Sequence, residues 1–155
     1  MYKKTYNPWI KFLGLFLYFR RRIISRKKSR EYAFRLVFEK FFHEPEQELE
    51  FNDEEFVLDD TDKLFVNELI GGVNSNYDSI LDIIKNNVVG YEVERIYKID
   101  LAILVLAVYE LKFACGDVQP SVVINEAVEL SKKYSTEKSY SFINGVLAKV
   151  IGDGR

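Results

Sequence analysis

The stretch DLAILVLAVYELKF, residues 100–113, constrains the fold most, because nine consecutive residues within it, Leu101 to Tyr109, are apolar or aromatic. Its Ala and Leu content and its lack of Gly and Pro favour a helix over a buried strand. A helix that is apolar on every side must be covered by other elements on every side. At roughly 20 Å it is too short to span a bilayer. We therefore predict the central helix of an all-α domain.

The length and the cysteine content indicate a single intracellular domain. A chain of 155 residues is long enough to bury a core of its own. One cysteine, Cys115, excludes an internal disulfide. The beginning of the chain lacks the cleavage site of a secretion signal. We therefore expect a cytoplasmic protein.

Charge is unevenly distributed along the chain, although the net charge is only −2. Residues 1–40 contain twelve Lys or Arg and two acids, whereas residues 41–155 contain ten basic and twenty-two acidic residues. A basic head suits a polyanionic partner, and an acidic body suits a basic protein. A solvated, dipolar surface that binds neither is the alternative.

The first 24 residues differ from the rest of the chain. An apolar run over residues 9–19 is interrupted only by Lys11 and Gly14 and is followed by three arginines at 20–22. This pattern is compatible with a helix lying on a membrane surface. We favour a second interpretation, in which residues 1–24 lie upstream of the native start. The domain would then comprise residues 25–151, with 152–155 as a tail.

Hydrophobic periodicity over the remaining chain predicts about seven helices and no strand. Ser29 is the expected N-cap of the first helix, and a short helix is expected after Asn52 or Asp53 in an acidic loop. Asp60 or Thr61 should open the next helix, and Ser135 or Thr136 should cap the last. The expected apolar positions of the first helix are Tyr32, Ala33, Leu36, Val37 and Phe41, and those of the helix after the loop are Leu64, Phe65, Leu69 and Val73.

Two adjacent glycines, Gly71 and Gly72, lie inside the second of these helical patterns. A glycine destabilises a helix interior by about 1 kcal/mol relative to alanine. A close crossing with another helix is the expected compensation.

The residue supply argues against an enzyme. His43 is the only histidine and Cys115 the only thiol, and neither has a catalytic partner nearby in the sequence. No zinc-ligand spacing and no phosphate-binding glycine loop is present. Glu126 and Glu129, one helical turn apart, are more typical of a solvated face than of an acid and base pair. We therefore expect no catalytic residues, no metal and no cofactor.

Three blocks of the sequence resemble the NusB family of transcription antitermination factors. They are RKKSREYAFRLVFE, IDLAILVLAVYEL and PSVVINEAVELSKKYSTEKSYSFINGVL, of which the third is the most specific. The resemblance implies an all-α fold of two packed three-helix bundles and an RNA-binding adaptor without enzymatic activity. It also implies binding of the boxA element of nascent RNA jointly with the ribosomal protein NusE. This assembly would act within an RNA polymerase antitermination complex that serves ribosomal RNA transcription.

The expected RNA-binding residues lie in two segments that supply cations for phosphates and groups that stack on or bond to bases. The first segment contains Arg26, Lys27, Lys28 and Arg30. The second segment contains Lys132, Lys133, Lys138, Ser139, Phe142 and Asn144. A solvated helix start is the alternative for the first segment. A place in the core is the alternative for Phe142.

The resemblance places the NusE-binding surface at the central helix, with Asp100 at the acidic contact position and Glu110 as a weaker candidate. An acidic patch suits a basic ribosomal protein. For Asp100 the alternative is an ordinary acid in the first turn of a helix.

The chain departs from the family pattern at four positions, Lys138, Ser141, Leu101 and Val105, and these departures affect the expected contacts rather than the fold. A NusB-like adaptor with another RNA or protein partner, or one held on a membrane by residues 9–22, remains an alternative. A homodimer is also left open, and a membrane partner is not our expectation.

Overall fold

The computed structural model describes residues 8–42, 58–90, 92–116 and 118–152. These residues form six α-helices and no strand, as the all-α prediction requires. The helices are α1 (Pro8–Glu39), α2 (Asp60–Ser75), α3 (Tyr77–Asn87), α4 (Lys98–Lys112), α5 (Pro120–Tyr134) and α6 (Ser139–Gly152), with a 3-10 helix at Val93–Arg95. The expected short helix after Asn52 or Asp53, and His43, lie outside the described residues.

Helix α4 is the buried centre of the fold. All its side chains from Asp100 to Glu110 are buried, and it packs against each of the other five α-helices. Burying one Leu, Ile or Val side chain contributes roughly 1.5–3 kcal/mol, so a helix of this composition is most stable when it is covered all round. The predicted central helix is therefore confirmed.

Helix α1 begins upstream of the expected position. It starts at Pro8 and continues to Glu39, so the predicted domain boundary near residue 25 falls within one continuous helix. Proline is tolerated in a first helical turn and arginine is a good helix former, which allows the helix to extend through residues 20–22. Ser29 is fully buried inside α1, so its predicted role as an N-cap is wrong. No helix in the described part of the chain has the length and apolar character that crossing a membrane requires.

Helix α2 presents most of the predicted face to the core, because Leu69 and Val73 are buried and Phe65 packs partly buried against them, whereas Leu64 does not. Its N-cap is Asp59, whose side chain accepts a hydrogen bond from the backbone amide of Asp62 at 2.9 Å. Leu64 is 70% exposed, whereas Val66 is completely buried. The two positions differ by about 200° around a helix, so only one of them can face α4. The assignment of Leu64 to the core is therefore wrong.

The two glycines of α2 have different surroundings. A Cβ atom on Gly72 would lie 2.0 Å from the Tyr109 ring of α4, whereas a Cβ atom on Gly71 would meet nothing within 4 Å. The predicted close helix crossing is thus confirmed at Gly72 and not at Gly71.

We predict that Gly72→Ala lowers the free energy of unfolding by about 1–3 kcal/mol, because the Tyr109 ring must leave its position. Gly71→Ala is the matched control. It should raise the free energy of unfolding by up to about 1 kcal/mol, because alanine is the better helix former and space is open. Urea denaturation of the two variants measures both values. Equal unfolding midpoints would contradict the close crossing.

Candidate nucleic-acid and partner interface

The turn between α5 and α6, residues 135–138, is attached to the first turn of α4 by a buried carboxylate. Ser135 Oγ donates a hydrogen bond to Oδ1 of Asp100 at 2.5 Å, and Ser139 Oγ donates to Oδ2 at 2.8 Å. Thr136 Oγ1 lies 2.9 Å from Ser139 Oγ. Since the one hydroxyl proton of Ser139 is directed at Asp100, Thr136 is the donor in that third contact. We call these four residues the Asp100 network.

Helix α6 begins at Ser139, after the expected cap positions Ser135 and Thr136. The hydroxyl groups of these two residues bond instead within the Asp100 network. Asp100 itself lies in the first turn of α4, as its alternative assignment proposed, and is only 3% exposed. Its carboxylate is therefore engaged inside the molecule.

A cavity of about 330 Å³ opens on one side of this turn, and we call it the cationic cavity. Its walls carry the positively charged side chains of Arg95 and Lys138 together with the rings of Tyr97 and Phe142. Ile96, Asp100, Thr136 and Ser139 complete its lining. Cations, rings and hydroxyl groups are the features that bind an unpaired nucleotide.

A second cavity of about 430 Å³ also borders this turn and shares Tyr97 and Thr136 with the first, and we call it the aromatic cavity. It is lined by Phe38, Phe42, Tyr97, Lys98, Ile99, Tyr134, Ser135 and Thr136. Phe42 is 65% exposed and Tyr97 is 68% exposed. Exposed aromatic side chains of this kind are enriched where proteins bind other proteins.

The aromatic cavity is supported by a row of rings on the last turns of α1 and on Phe42 just beyond its end. The centroids of Phe38 and Phe42 are 5.1 Å apart, those of Phe34 and Phe38 are 6.3 Å apart, and Phe34 lies 5.1 Å from Tyr134 of α5. These distances lie within the range in which aromatic pairs attract. The row therefore links α1 to the end of α5.

Glu31 of α1 holds the same end of α5. Its Oε1 accepts hydrogen bonds from Lys133 Nζ and from the Tyr134 hydroxyl. Burial raises the pKa of Glu31, but the bonds from Lys133 and Tyr134 outweigh this effect, so its pKa lies below the usual 4.5. The pKa of Lys133 is raised by the bond to Glu31. Burial and the nearby Glu31 both raise the pKa of Tyr134.

The two predicted RNA-binding segments come together in the structure. Lys27 of α1 and Lys133 of α5 line one depression of about 120 Å³, which also contains Glu31, Glu126 and Glu129. Lys132 forms an exposed ion pair with Glu129 at 2.9 Å. Acids are therefore interleaved with the cations of this surface. Lys27 and Lys28 are both exposed.

Arg30 and Glu110, predicted to belong to separate surfaces, instead contact each other. Arg30 Nη2 lies 2.8 Å from Glu110 Oε2, and Arg30 Nε donates to both carboxylate oxygens at 2.9 Å. Their side chains are only 8% and 4% exposed. A buried pair of this kind is not free to contact other molecules directly. The structure therefore disagrees with the predicted RNA contact of Arg30 and with the predicted NusE contact of Glu110.

Arg26 is also engaged within the molecule. Its guanidinium carbon lies 3.9 Å from the centroid of the Phe65 ring of α2, within the range of a cation–π contact. Arg26 is partly buried, and its Nη1 is buried without a hydrogen-bond partner. Arg26 therefore links α1 to α2.

The remaining predicted site residues surround the α5–α6 turn. Lys138 and Asn144 are exposed, Phe142 is partly buried, and Ser139 is buried within the Asp100 network. Lys138, Ser139 and Phe142 all line the cationic cavity, whereas Asn144 is not among its lining residues.

Sequence reasoning missed several residues of the two cavities, namely Phe38, Phe42, Arg95, Tyr97 and Thr136, and it also missed Glu31, which lies in the depression between α1 and α5. One signal was available for two of them, because Phe34, Phe38 and Phe42 recur at intervals of four, which predicts a second aromatic stripe at the end of the first helix. Arg95 and Tyr97 lie in or beside the short 3-10 helix, where no periodicity identifies a face.

Over the described residues, the fold and its surface define a helical binding protein with a cationic and an aromatic cavity that both border the α5–α6 turn. The sequence profile of the NusB family matches residues 27–152. The chain belongs to the NusB family.

Similar proteins agree with this assignment. The transcription antitermination protein NusB of Clostridium botulinum (strain Kyoto / Type A2) is 43% identical over 144 residues, covering 83% of this chain and all of that protein. The protein of the same name from Acetivibrio thermocellus is 39% identical over 130 residues, covering 83% of this chain and 89% of that protein.

Two solved structures have the same fold. T. maritima NusB has a TM-score of 0.74 and 31% identity, covering 83% of this chain and 91% of that one. A crystal structure of the antitermination factors NusB and NusE in complex with dsRNA contains a chain with a TM-score of 0.73 and 24% identity. That match covers 83% of this chain and 97% of that one. At this identity the second likeness concerns the fold alone.

We predict that Glu31→Gln lowers the free energy of unfolding by roughly 1–3 kcal/mol at neutral pH, because charge-assisted hydrogen bonds are weakened. The folded-state pKa of Glu31 lies below its unfolded value, so its contribution is present above pH 4.5 and is lost as the pH falls through the folded-state pKa. The stability gap between wild type and E31Q should therefore shrink below that pH in urea titrations.

Glu129→Gln is the matched control for this prediction, because its ion pair with Lys132 is exposed. The free energy of unfolding of E129Q should stay close to that of wild type, because solvent screens an exposed ion pair. A loss in E31Q that is no larger than in E129Q at neutral pH would contradict the structural role of Glu31.

Proposed function

We propose that this protein is a transcription antitermination factor that binds boxA-type single-stranded RNA together with ribosomal protein NusE. It acts within an RNA polymerase antitermination complex in the cytoplasm and promotes ribosomal RNA transcription. Its role is binding and not catalysis. Membership of the NusB family supports this function. So do the relatives named as transcription antitermination proteins.

The single observation that carries the proposal is the pair of cavities that border one ordered turn. The cationic cavity combines Arg95 and Lys138 with two rings, which suits phosphates and splayed bases. The aromatic cavity presents exposed rings, which suit a protein surface. A protein that must hold RNA and a second protein at once needs two such adjoining sites.

The RNA surface comprises the cationic cavity and the exposed lysines that lead away from it along α5 and α1. Lys27, Lys28 and Lys138 supply phosphate contacts, and Phe142 and Tyr97 supply stacking. Lys132 and Lys133 also bind phosphates, each after it leaves its carboxylate partner, Glu129 or Glu31. Asn144 extends the RNA surface along α6. Arg26 and Arg30 support this surface by joining α1 to α2 and α4.

The NusE surface is the aromatic cavity, with Phe38, Phe42 and Tyr97 as its exposed or partly exposed rings. An exposed aromatic ring that fills a pocket on a partner contributes more to the affinity for that partner than an isolated surface charge does. Asp100 and Glu110 therefore act from beneath the surface rather than as contacts.

We also propose the finer architecture that the family resemblance implies, namely two packed three-helix bundles. The mutual contacts of α4, α5 and α6 support one bundle, and the packing of α1 against α2 supports the other. Helix α3 packs mainly against α4 and α6.

RNA binding should depend on salt through the exposed lysines. Replacing Lys27, Lys28 and Lys138 by Ala should weaken binding of a boxA oligonucleotide. The slope of log affinity against log salt should fall by roughly 0.7 per lost phosphate contact. Fluorescence anisotropy across a salt series, with and without NusE, measures both effects. Lys85→Ala, on a helix that carries none of the proposed RNA residues, is the control.

An unchanged slope in the triple variant would remove these lysines from the RNA site. Equal affinity for the single strand and for its duplex would contradict recognition of unpaired bases.

The proposed domain boundary near residue 25 is supported by the family match, which begins at residue 27. We predict that residues 25–155 bind boxA RNA and NusE as tightly as the whole chain does. N-terminal sequencing of the native protein should find a start near residue 25. A native chain that begins at Met1, or a loss of RNA affinity on truncation, would contradict this boundary.

A further inference from the structure

We propose that Glu126 and Glu129 of α5 restrain RNA binding, because their carboxylates compete with RNA phosphates for the lysines of α1 and α5. This role rests on the proposed function, since the lysines concerned belong to the proposed RNA surface. The sequence pattern indicates only a solvated face for the two acids, and the family resemblance assigns them no role.

The acids and the lysines occupy one face of the molecule. Lys27 and Lys133 line the depression of about 120 Å³ between α1 and α5, and Glu126 and Glu129 line the same depression. Glu31, the bonding partner of Lys133, is the third acid there. Carboxylates therefore lie beside the positions where phosphates would bind these lysines.

Glu129 is bound to one lysine and attracted by a second. Lys132 Nζ donates a hydrogen bond to Glu129 Oε1 at 2.9 Å. The pKa of Glu129 lies below its usual 4.5, mainly because of this bond and in part because of the positive charge of Lys27. The side chains of Lys132 and Glu129 are 53% and 41% exposed, so an RNA strand can reach both. A phosphate that binds Lys132 must therefore replace the Glu129 carboxylate.

Glu126 opposes RNA in another way. Among the described residues it forms no ion pair, although it lines the depression together with Lys27 and Lys133. Its negative charge therefore repels a phosphate at either lysine without being neutralised by a fixed partner. Like charges a few ångströms apart in water weaken binding by a factor of roughly 2–5, and salt reduces this effect.

The cationic cavity differs from this face in its charge. Asp100 is the one carboxylate among its lining residues, and that group is buried and accepts hydrogen bonds from Ser135 and Ser139. Lys138 is exposed on the cavity wall. A strand that offers only phosphates therefore gains little on the face between α1 and α5, whereas a strand with a base in the cationic cavity gains affinity there as well. The two acids thus keep RNA binding dependent on the cavity.

The test is the RNA affinity of the full chain carrying Glu126→Gln, Glu129→Gln or both, measured by fluorescence anisotropy with and without NusE. One probe is a boxA oligonucleotide, and the other is a single strand of the same length and unrelated sequence. At low salt each substitution should raise the affinity for both probes by a factor of roughly 2–5, and the double variant should exceed either single variant. The gain should shrink as the salt concentration rises.

A thermodynamic cycle with Lys132 separates competition for this lysine from a general effect. In Lys132→Ala, the change Glu129→Gln should raise RNA affinity by a smaller factor than in wild type, because the lysine that the acid occupies is gone. An equal factor in the two backgrounds would overturn the competition.

Asp78→Asn combined with Asp82→Asn is the matched control, because it removes two negative charges from α3, which carries none of the proposed RNA residues. It should leave the affinity for both probes within a factor of about two of wild type. A gain as large as that of the double variant in α5 would show that net charge alone is responsible, and it would overturn the inference.

Unchanged RNA affinity in E126Q and E129Q would also contradict the restraint. A loss of boxA affinity in either variant, with unchanged affinity for the unrelated strand, would show that a carboxylate contacts a base, and it would equally overturn the inference. E129Q carries the test alone if E126Q does not fold, because the Glu129 ion pair is exposed. Wild-type protein that binds neither probe, with or without NusE, would instead overturn the proposed function.

Discussion

The burial of α4 is the constraint on which the rest of the structure depends. A run of nine apolar residues leaves no face for solvent, so five helices must surround it. The buried segment is bounded by two acids, Asp100 and Glu110, and neither can remain buried without donors. Serines of the α5–α6 region satisfy the first, and Arg30 of α1 satisfies the second. These polar contacts orient the surrounding helices, which hydrophobic burial alone would not do.

The binding surface follows from this arrangement. The helix that carries the basic segment, α1, is held to α4 by Arg30 and to the end of α5 by Glu31. The α5–α6 turn is held to α4 by Asp100. Glu31 and Asp100, from different helices, thus hold one short region, residues 133–139, and both cavities border it. A surface built on such supports loses little conformational entropy when it binds.

The structure gives a physical reason for three of the four departures from the family pattern. Leu101 and Val105 are 4% and 0% exposed, so apolar residues there complete the burial of α4. Lys138 lies on the wall of the cationic cavity, where an additional positive charge favours a polyanion. Nothing in the structure explains Ser141, which is exposed on α6.

The sequence by itself determined the helical class, the buried central helix, the close approach at Gly72 and the segments that carry the cations. Local composition and periodicity suffice for these features, because they depend on neighbours within one or two helical turns. Only the tertiary structure decided which charged groups are paired inside the molecule and which are free to bind a ligand. Arg30 pairs with Glu110, 80 residues away in the sequence, and Lys133 pairs with Glu31, 102 residues away. Such pairs, and the cavities between helices, depend on how the helices pack around α4, and no local pattern in the chain records that packing.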